Sequence, residues 1–365
     1  MTGPGPQPND DARDAGATPP PAAHRVADEL LRRFALGPPL HLEVAPGGLL
    51  NQNLFARTAR GAYFLKGYRY SVLLPIKREH WLIAFATAAG LPALSPIATP
   101  SGETVLRVGG RWWAIFPRLK PLQPGPDDLS VRHAAELGRV LGRVHAALAA
   151  IPPLEVSRFP AKITWDSARA LGEMAEYEVT IQRRPTLDPF DRHTLSSFGF
   201  RRTLLAGGVP PVASFAGLPA QLLHGDFHTG NLFWDGAERI HSVIDWELAG
   251  VGPRAWEIVR VLDLSLRLAS DVESGAARLT AFIHGYVSVA TLTGEECEAM
   301  GDLYWAARVH SLWAYEEHYR KGSAKTDRVA MEDLALLHWL AANRGRVAAA
   351  LRDALATAPP RELAG

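Results

Sequence analysis

Residues 223–234 read Leu223-His224-Gly225-Asp226-Phe227-His228-Thr229-Gly230-Asn231-Leu232-Phe233-Trp234, and a second polar turn follows in Val243-Ile244-Asp245-Trp246-Glu247. Apolar runs flank both pieces. A turn that holds Asp, Asn and two His between hydrophobic segments, followed by a strand ending in a carboxylate, gathers several oxygen donors at one edge. Such a set suits magnesium, which takes hard oxygen ligands: one or two protein carboxylates together with phosphate oxygens and water.

Upstream of this region the chain is strand-rich. Leu42–Val44, Leu54–Thr58 and Tyr63–Lys66 are short β-type runs punctuated by Gly47-Gly48 and Gly61. Lys77–Ala89 reads as a helix. Val105–Val108 and Trp112–Phe116, joined by Gly109-Gly110, read as a hairpin, because Gly-Gly supplies the positive φ angles of a tight turn. Before the strands, Ala23–Leu36 shows helical spacing and ends at Gly37-Pro38-Pro39. Residues 1–24 carry almost no large apolar side chains and read as a disordered tail.

Beyond Asp128 the pattern turns helical. Val131–Ala150 places Leu137, Val140, Leu141, Val144 and Leu148 on one face, and Leu279–Val289, Glu295–Arg320 and Met331–Leu355 are further helical stretches. The only strand signal among them is Leu222–Ile244. The expected organisation is therefore α+β and bilobal: a small β-rich lobe over 25–118, a larger mainly helical lobe over 119–356, a hinge near Pro117–Pro126, and a flexible tail over 357–365.

Composition narrows the function classes. The 365 residues carry 39 Lys+Arg against 38 Asp+Glu, with no polybasic tract of the kind that neutralises nucleic-acid phosphates. The balance hides an asymmetry. Residues 41–120 hold ten basic against three acidic side chains, and the rest of the chain 29 against 35. A basic part that attracts polyphosphate and an acidic part that holds a cation is the expectation. Cys297 stands alone, so a disulfide framework is excluded and a reducing, cytoplasmic setting is expected. No apolar leader stands at the start. The uncharged run Trp81–Gly102 is broken by Gly90, Pro92, Pro96 and Pro100 and reads as a buried helix running into an extended segment rather than a membrane span.

His224-Gly225-Asp226 with Asn231 five residues after the Asp, then Ile244-Asp245-Trp246-Glu247, resembles the signature of the aminoglycoside phosphotransferase and choline kinase-like family, relatives of the protein kinases. The resemblance runs in order from about Leu42 to Arg260. It implies a protein kinase-like fold with ATP between the lobes, Asp226 as the base that takes the acceptor hydroxyl proton, and Asn231 and Asp245 as ligands of Mg²⁺. It also implies that Gly47 and Gly48 cover the phosphates, that Lys66 contacts them, and that Glu79 orients Lys66. Phe116 and Leu119 lie in the segment whose main chain reads adenine; Pro117 has no N–H, so a neighbour such as Leu119 must donate.

Competing readings stand beside this one. His224, Asp226 and His228 form a candidate zinc hydrolase set, and a kinase-like protein that holds nucleotide without turnover is a further alternative. His224 reads as a structural residue bonding the loop backbone, and His145 as a satisfied core histidine. Glu247 either supports the metal or caps the next turn. Gly250-Val251-Gly252-Pro253-Arg254-Ala255 fits a dinucleotide pattern but lacks its βαβ context, and reads as the turn into a helix. No Walker-type phosphate loop is present, which excludes a Walker-type ATPase; no Asp-Phe-Gly follows the turn at 224–231 and no Ala-Pro-Glu follows Asp245, which favours a small hydroxyl-bearing acceptor over a protein substrate. The acids of Glu295–Arg320, interleaved with Tyr304, Trp305, Trp313, Tyr315 and Tyr319, suit a cationic or amine-bearing alcohol; an amphipathic helix with a wet acidic face is the competing reading.

Overall fold

The computed structural model describes residues 19–45, 52–120, 122–274 and 276–360. These described residues divide into two compact units, the first holding those up to 85 together with 94–120, and the second 86–93 together with those beyond 120. The division falls after Lys120, two residues later than the sequence suggested, and the segment 86–93 belongs with the second unit.

In the first unit, α1 (Pro21–Arg33) precedes a five-stranded sheet of β1 (His41–Val44), β2 (Gln52–Thr58), β3 (Gly61–Gly67), β4 (Leu106–Val108) and β5 (Arg111–Pro117), in the order β1-β2-β3-β5-β4. The ladders between these strands are antiparallel. The helix α2 (Leu74–Ala88) follows β3. Residues 21–24, read from sequence as tail, are the first turn of α1, which Pro21 opens because its missing N–H is not needed there. The same helix ends three residues early, since Ala35 takes φ 57° and turns the chain out. Ala27, Leu30 and Leu31 of α1 pack with Leu54, Leu65, Trp113 and Ile115 of the sheet. Each large side chain so buried contributes about 1.5–3 kcal/mol. The β4–β5 turn has φ 58° at Gly109 and 81° at Gly110, as a tight hairpin turn demands.

The second unit contains α3 (Val131–Ala149), α4 (Pro153–Val156), α5 (Ser167–Gln182), α6 (Pro189–Ala206), α7 (Arg254–Leu266), α8 (Leu268–Ser274), α9 (Ala277–Val287), α10 (Gly294–His310), α11 (Trp313–Tyr319) and α12 (Asp327–Ala356). Two small antiparallel ladders lie among them: β6 (Ala220–Leu223) with β9 (Gly250–Pro253), and β7 (Leu232–Trp234) with β8 (Ile240–Val243). The glycines at 250 and 252 are thus strand residues rather than a bare turn into α7. The stretch expected as one helix over Glu295–Arg320 is broken, because the buried guanidinium of Arg201 takes the carbonyls of Arg308 and Val309, each at 2.6 Å. Among the described residues no helix is long and apolar enough to cross a membrane.

Candidate active site

The two strand ladders of the second unit place the polar residues of the two turns by register. Leu223 pairs with Gly250, so the loop leaving β6 and the segment entering β9 meet at one end of that ladder. Leu232 pairs with Val243, so Asn231, just before β7, stands opposite the residues just after β8. The Ile244 N–H donates to the Asn231 carbonyl at 3.0 Å, which sets Asn231 beside Asp245. Asp245 takes φ 62°, ψ 62°, a left-handed conformation that costs a side-chain-bearing residue about 1 kcal/mol and is characteristic of sites where function fixes the backbone.

Asp226 is held from both oxygens. Asn231 Nδ2 donates to its Oδ2 at 2.9 Å and to its carbonyl at 2.8 Å, while Arg260 Nη2 donates to Oδ1 at 2.6 Å. His228 Nε2 lies 3.6 Å from Oδ2. Burial alone would raise the carboxyl pKa, but His228 and the Arg260 charge outweigh it and hold Asp226 far below the ordinary carboxylate range. Asp226 is therefore ionised and able to accept a proton-bearing hydroxyl. Gly225 precedes it at φ 82°, and a Cβ there would stand 2.1 Å from the Leu248 carbonyl oxygen, so only glycine fits.

With Asn231 Nδ2 committed to Asp226, its Oδ1 and the Asp245 carboxylate are hard oxygen donors of the kind that suits a divalent cation completed by phosphate oxygens. The zinc-hydrolase set does not converge. His224 is fully buried, with one ring nitrogen on the Ile244 carbonyl at 3.1 Å and the other accepting the Asp226 N–H at 3.2 Å. Its backbone role matches the sequence reading. His228 Nδ1 accepts the Gly230 N–H at 3.1 Å and so caps the short turn Thr229–Asn231. Glu247 lies half-buried in the turn Trp246–Leu248.

Three residues that the sequence did not single out complete the surroundings. Glu257 of α7, wholly buried, accepts from His145 Nε2 at 2.9 Å and from the backbone N–H groups of His224 and Gly225. His145 in turn bonds Tyr286 at 2.8 Å, and is satisfied as expected of a core histidine. Arg260, one turn further along α7, carries the ion pair to Asp226. Lys162 reaches the Leu248 carbonyl at 3.0 Å, because residues 160–162 bond to Val251 of β9. Burial, followed by the charge of Arg260, lowers the Lys162 pKa to about 8. The spacing of Glu257 and Arg260 on one helix face was the available signal for that pair; Lys162 had none.

The first unit places Lys66 Nζ 3.0 Å from Glu79 Oε1, both side chains buried, and 4.9 Å from the Tyr68 ring centroid. Glu79 is thus a core carboxylate of α2, not part of a solvated charge cluster. Phe116 is buried in β5 edge-on to His80. Past the strand, the Arg118 N–H is taken by the Ala62 carbonyl at 3.0 Å, so among the described residues Leu119 is the first after Pro117 whose main-chain N–H has no partner. Gly47 and Gly48 lie outside the described residues.

The helical stretch offered as a cation site is differently built. Tyr304, Trp305 and Tyr315 are core side chains. Glu296, Glu298 and Asp302 pair with Arg254, Arg352 and Arg344, and Glu317 with Lys321. Its acids are largely neutralised, so this face is a paired amphipathic surface.

Comparison with known proteins identifies the family and the fold. A family profile described as the phosphotransferase enzyme family matches residues 41–296. A homoserine kinase of Methylobacillus flagellatus is 24% identical over 317 residues, 84% of this chain and 91% of the relative. Among solved structures, spectinomycin phosphotransferase in complex with ADP and spectinomycin superposes with TM-score 0.61 at 13% identity, covering 91% of this chain and 98% of that one. A microcompartment-associated aminopropanol kinase gives TM-score 0.60 at 18% identity, covering 88% and 98%. The α+β, protein kinase-like fold is shared with these kinases, and the chain belongs to the phosphotransferase enzyme family as a kinase acting on an alcohol acceptor.

Proposed function

We propose that this enzyme transfers the γ-phosphate of ATP to a hydroxyl of a small amine-bearing alcohol, aminoglycoside or sugar-like acceptor, in the cytoplasm. The observation that carries the reading is the Asp226–Asn231–Asp245 arrangement: one ionised carboxylate fixed by hydrogen bonds beside a pair of hard oxygen donors. Asn231 and Asp245 hold Mg²⁺, which supplies charge stabilisation to the phosphates when bound.

The protein's own contribution is positioning and electrostatics. Asp226 accepts a hydrogen bond from the acceptor hydroxyl, aims its oxygen at the γ-phosphorus and takes its proton as the new O–P bond forms, while the bond from the γ-phosphorus to the β,γ-bridging oxygen breaks and ADP leaves. Lys66, oriented by Glu79, offsets charge on the α- and β-phosphates. Phe116 packs at the adenine segment, Leu119 donates its N–H to the adenine edge, and Gly47 and Gly48 cover the phosphates. The relatives' names make amino alcohols and hydroxy amino acids the first acceptors to try.

The test is ATP consumption by the full chain with and without Mg²⁺, against a panel of amino alcohols, homoserine, aminoglycosides and sugars. Acceptor-stimulated, Mg²⁺-dependent turnover is expected. Nucleotide binding with silence across the panel would instead identify a protein that holds nucleotide without turning it over.

A further inference from the structure

Two cations stand beside Asp226 with donor capacity that the protein leaves unspent. Arg260 gives Nη2 to Asp226, but its Nη1 is buried and has no hydrogen-bond partner among the described residues. Lys162 Nζ bonds a neutral backbone carbonyl and makes no ion pair with a carboxylate among them. Both lie near the same indole, with Lys162 5.5 Å and Arg260 5.6 Å from the Trp256 ring. The nearby Glu257 carboxylate is already spent on His145 and the loop N–H groups. Arg260 has Asp226 as its counter-ion but leaves Nη1 without an acceptor, and Lys162 has no carboxylate partner among the described residues; a desolvated ammonium and an unpaired guanidinium N–H are both costly, so the two are expected to meet an anion from outside.

The side on which they stand indicates which anion. Asn231, the metal-side residue, bonds Oδ2 of Asp226, whereas Arg260 bonds Oδ1. Lys162 comes from the segment that joins β9 and then runs into α5. Neither belongs to the turns that carry the oxygen donors for the metal.

We propose that Lys162 and Arg260 form a carboxylate-binding subsite next to the base, which selects acceptor alcohols that also carry a carboxylate, as hydroxy amino acids do. The inference rests on the phosphotransferase reading above and names the acceptor class within it. Arg260 binds the carboxylate through Nη1 while keeping its bond to Asp226. Lys162 supplies the second charge. Together they fix the acceptor end-on, leaving the distal hydroxyl to reach Asp226.

The test compares two probes, homoserine and its decarboxylated counterpart, a terminal aminopropanol, with the wild-type chain, Lys162→Met and Lys162→Arg. The ratio of kcat/KM for homoserine to that for aminopropanol should be about 100 or more in the wild type. It should fall at least about tenfold in Lys162→Met and be largely retained in Lys162→Arg. Thermal melting establishes that the variants are folded, and Lys162→Arg reports on the charge even if the Met variant is not.

A wild-type ratio near one overturns the subsite. So does an unchanged ratio in Lys162→Met with both acceptors slowed and the KM for ATP raised, which would assign the lysine to the transferred phosphate. Calorimetric titration of the same two probes separates the subsite from the phosphotransfer reading. Tighter binding of homoserine than of aminopropanol, lost in Lys162→Met, upholds the subsite even if neither is phosphorylated; no such difference in binding or turnover rejects it.

Discussion

Lys66–Glu79 is a buried ion pair and Arg260–Asp226 a half-buried one, and they are built differently. The first joins a strand to the next helix across 13 residues. The second joins a loop to a helix across 34 residues and then draws in Asn231 and His228, with Glu257 fastening the same loop from behind. A locally encoded pair suits a task common to many nucleotide-using enzymes. A site assembled from several segments suits discrimination, because each segment varies independently.

The comparison breaks most sharply at Asp226. Asp226→Asn should lower kcat about 10³-fold while nucleotide affinity, read by titration, stays within about twofold. Comparable losses of both would place Asp226 with the nucleotide instead. Next in size is Glu257→Ala. It strips the acceptor from His145 and from two loop N–H groups and should cost about 3 kcal/mol or more of stability, measured by denaturant unfolding. A variant as stable as the wild type would show that the loop does not depend on that carboxylate.

Glu79→Gln tests the other pair. It keeps the shape, removes the charge opposite Lys66, and should raise the KM for ATP about tenfold, with little change in the KM of the acceptor. The smallest effect concerns His80, which neighbours that pair. Burial, followed by the charge of Lys66, lowers its pKa from 6.5 to about 4. The folded protein thus binds this proton less readily than the unfolded chain. The resulting stability is fully present above pH 6.5 and is lost progressively as pH falls toward 4, about 1 kcal/mol by pH ~5.5. His80→Gln should flatten this part of the stability profile; an unchanged acid limb would assign it to other groups.

The same contrast explains what could be read in advance. Lys66 and Glu79 sat on a strand and the following helix, and Asn231 and Asp245 flanked two short apolar runs, so pattern placed each residue on its element and the family resemblance paired them. The hairpin at Gly109-Gly110 was equally legible, since its turn chemistry is local. Lys162 was not legible. It lies 86 residues before Leu248 and arrives through a two-stranded contact too short to leave a periodic signal. Glu257 looked like any carboxylate on an amphipathic helix until the N–H groups of a distant loop were seen to converge on it. The division between α10 and α11 was hidden for a similar reason, because Arg201, more than a hundred residues upstream, ends the first helix. The acidic, aromatic stretch left two readings open because composition does not say which acids already have arginine partners.

Cys297 has a practical consequence. It is wholly buried in α10, and burial pushes its thiol up to about 12, so it is protonated and shielded from alkylating reagents at neutral pH. No other cysteine occurs in the chain. A cysteine engineered into an exposed position should therefore be the sole accessible thiol on the folded enzyme. Fluorophores or spin labels can then be attached one site at a time on a wild-type background, without first removing a native thiol.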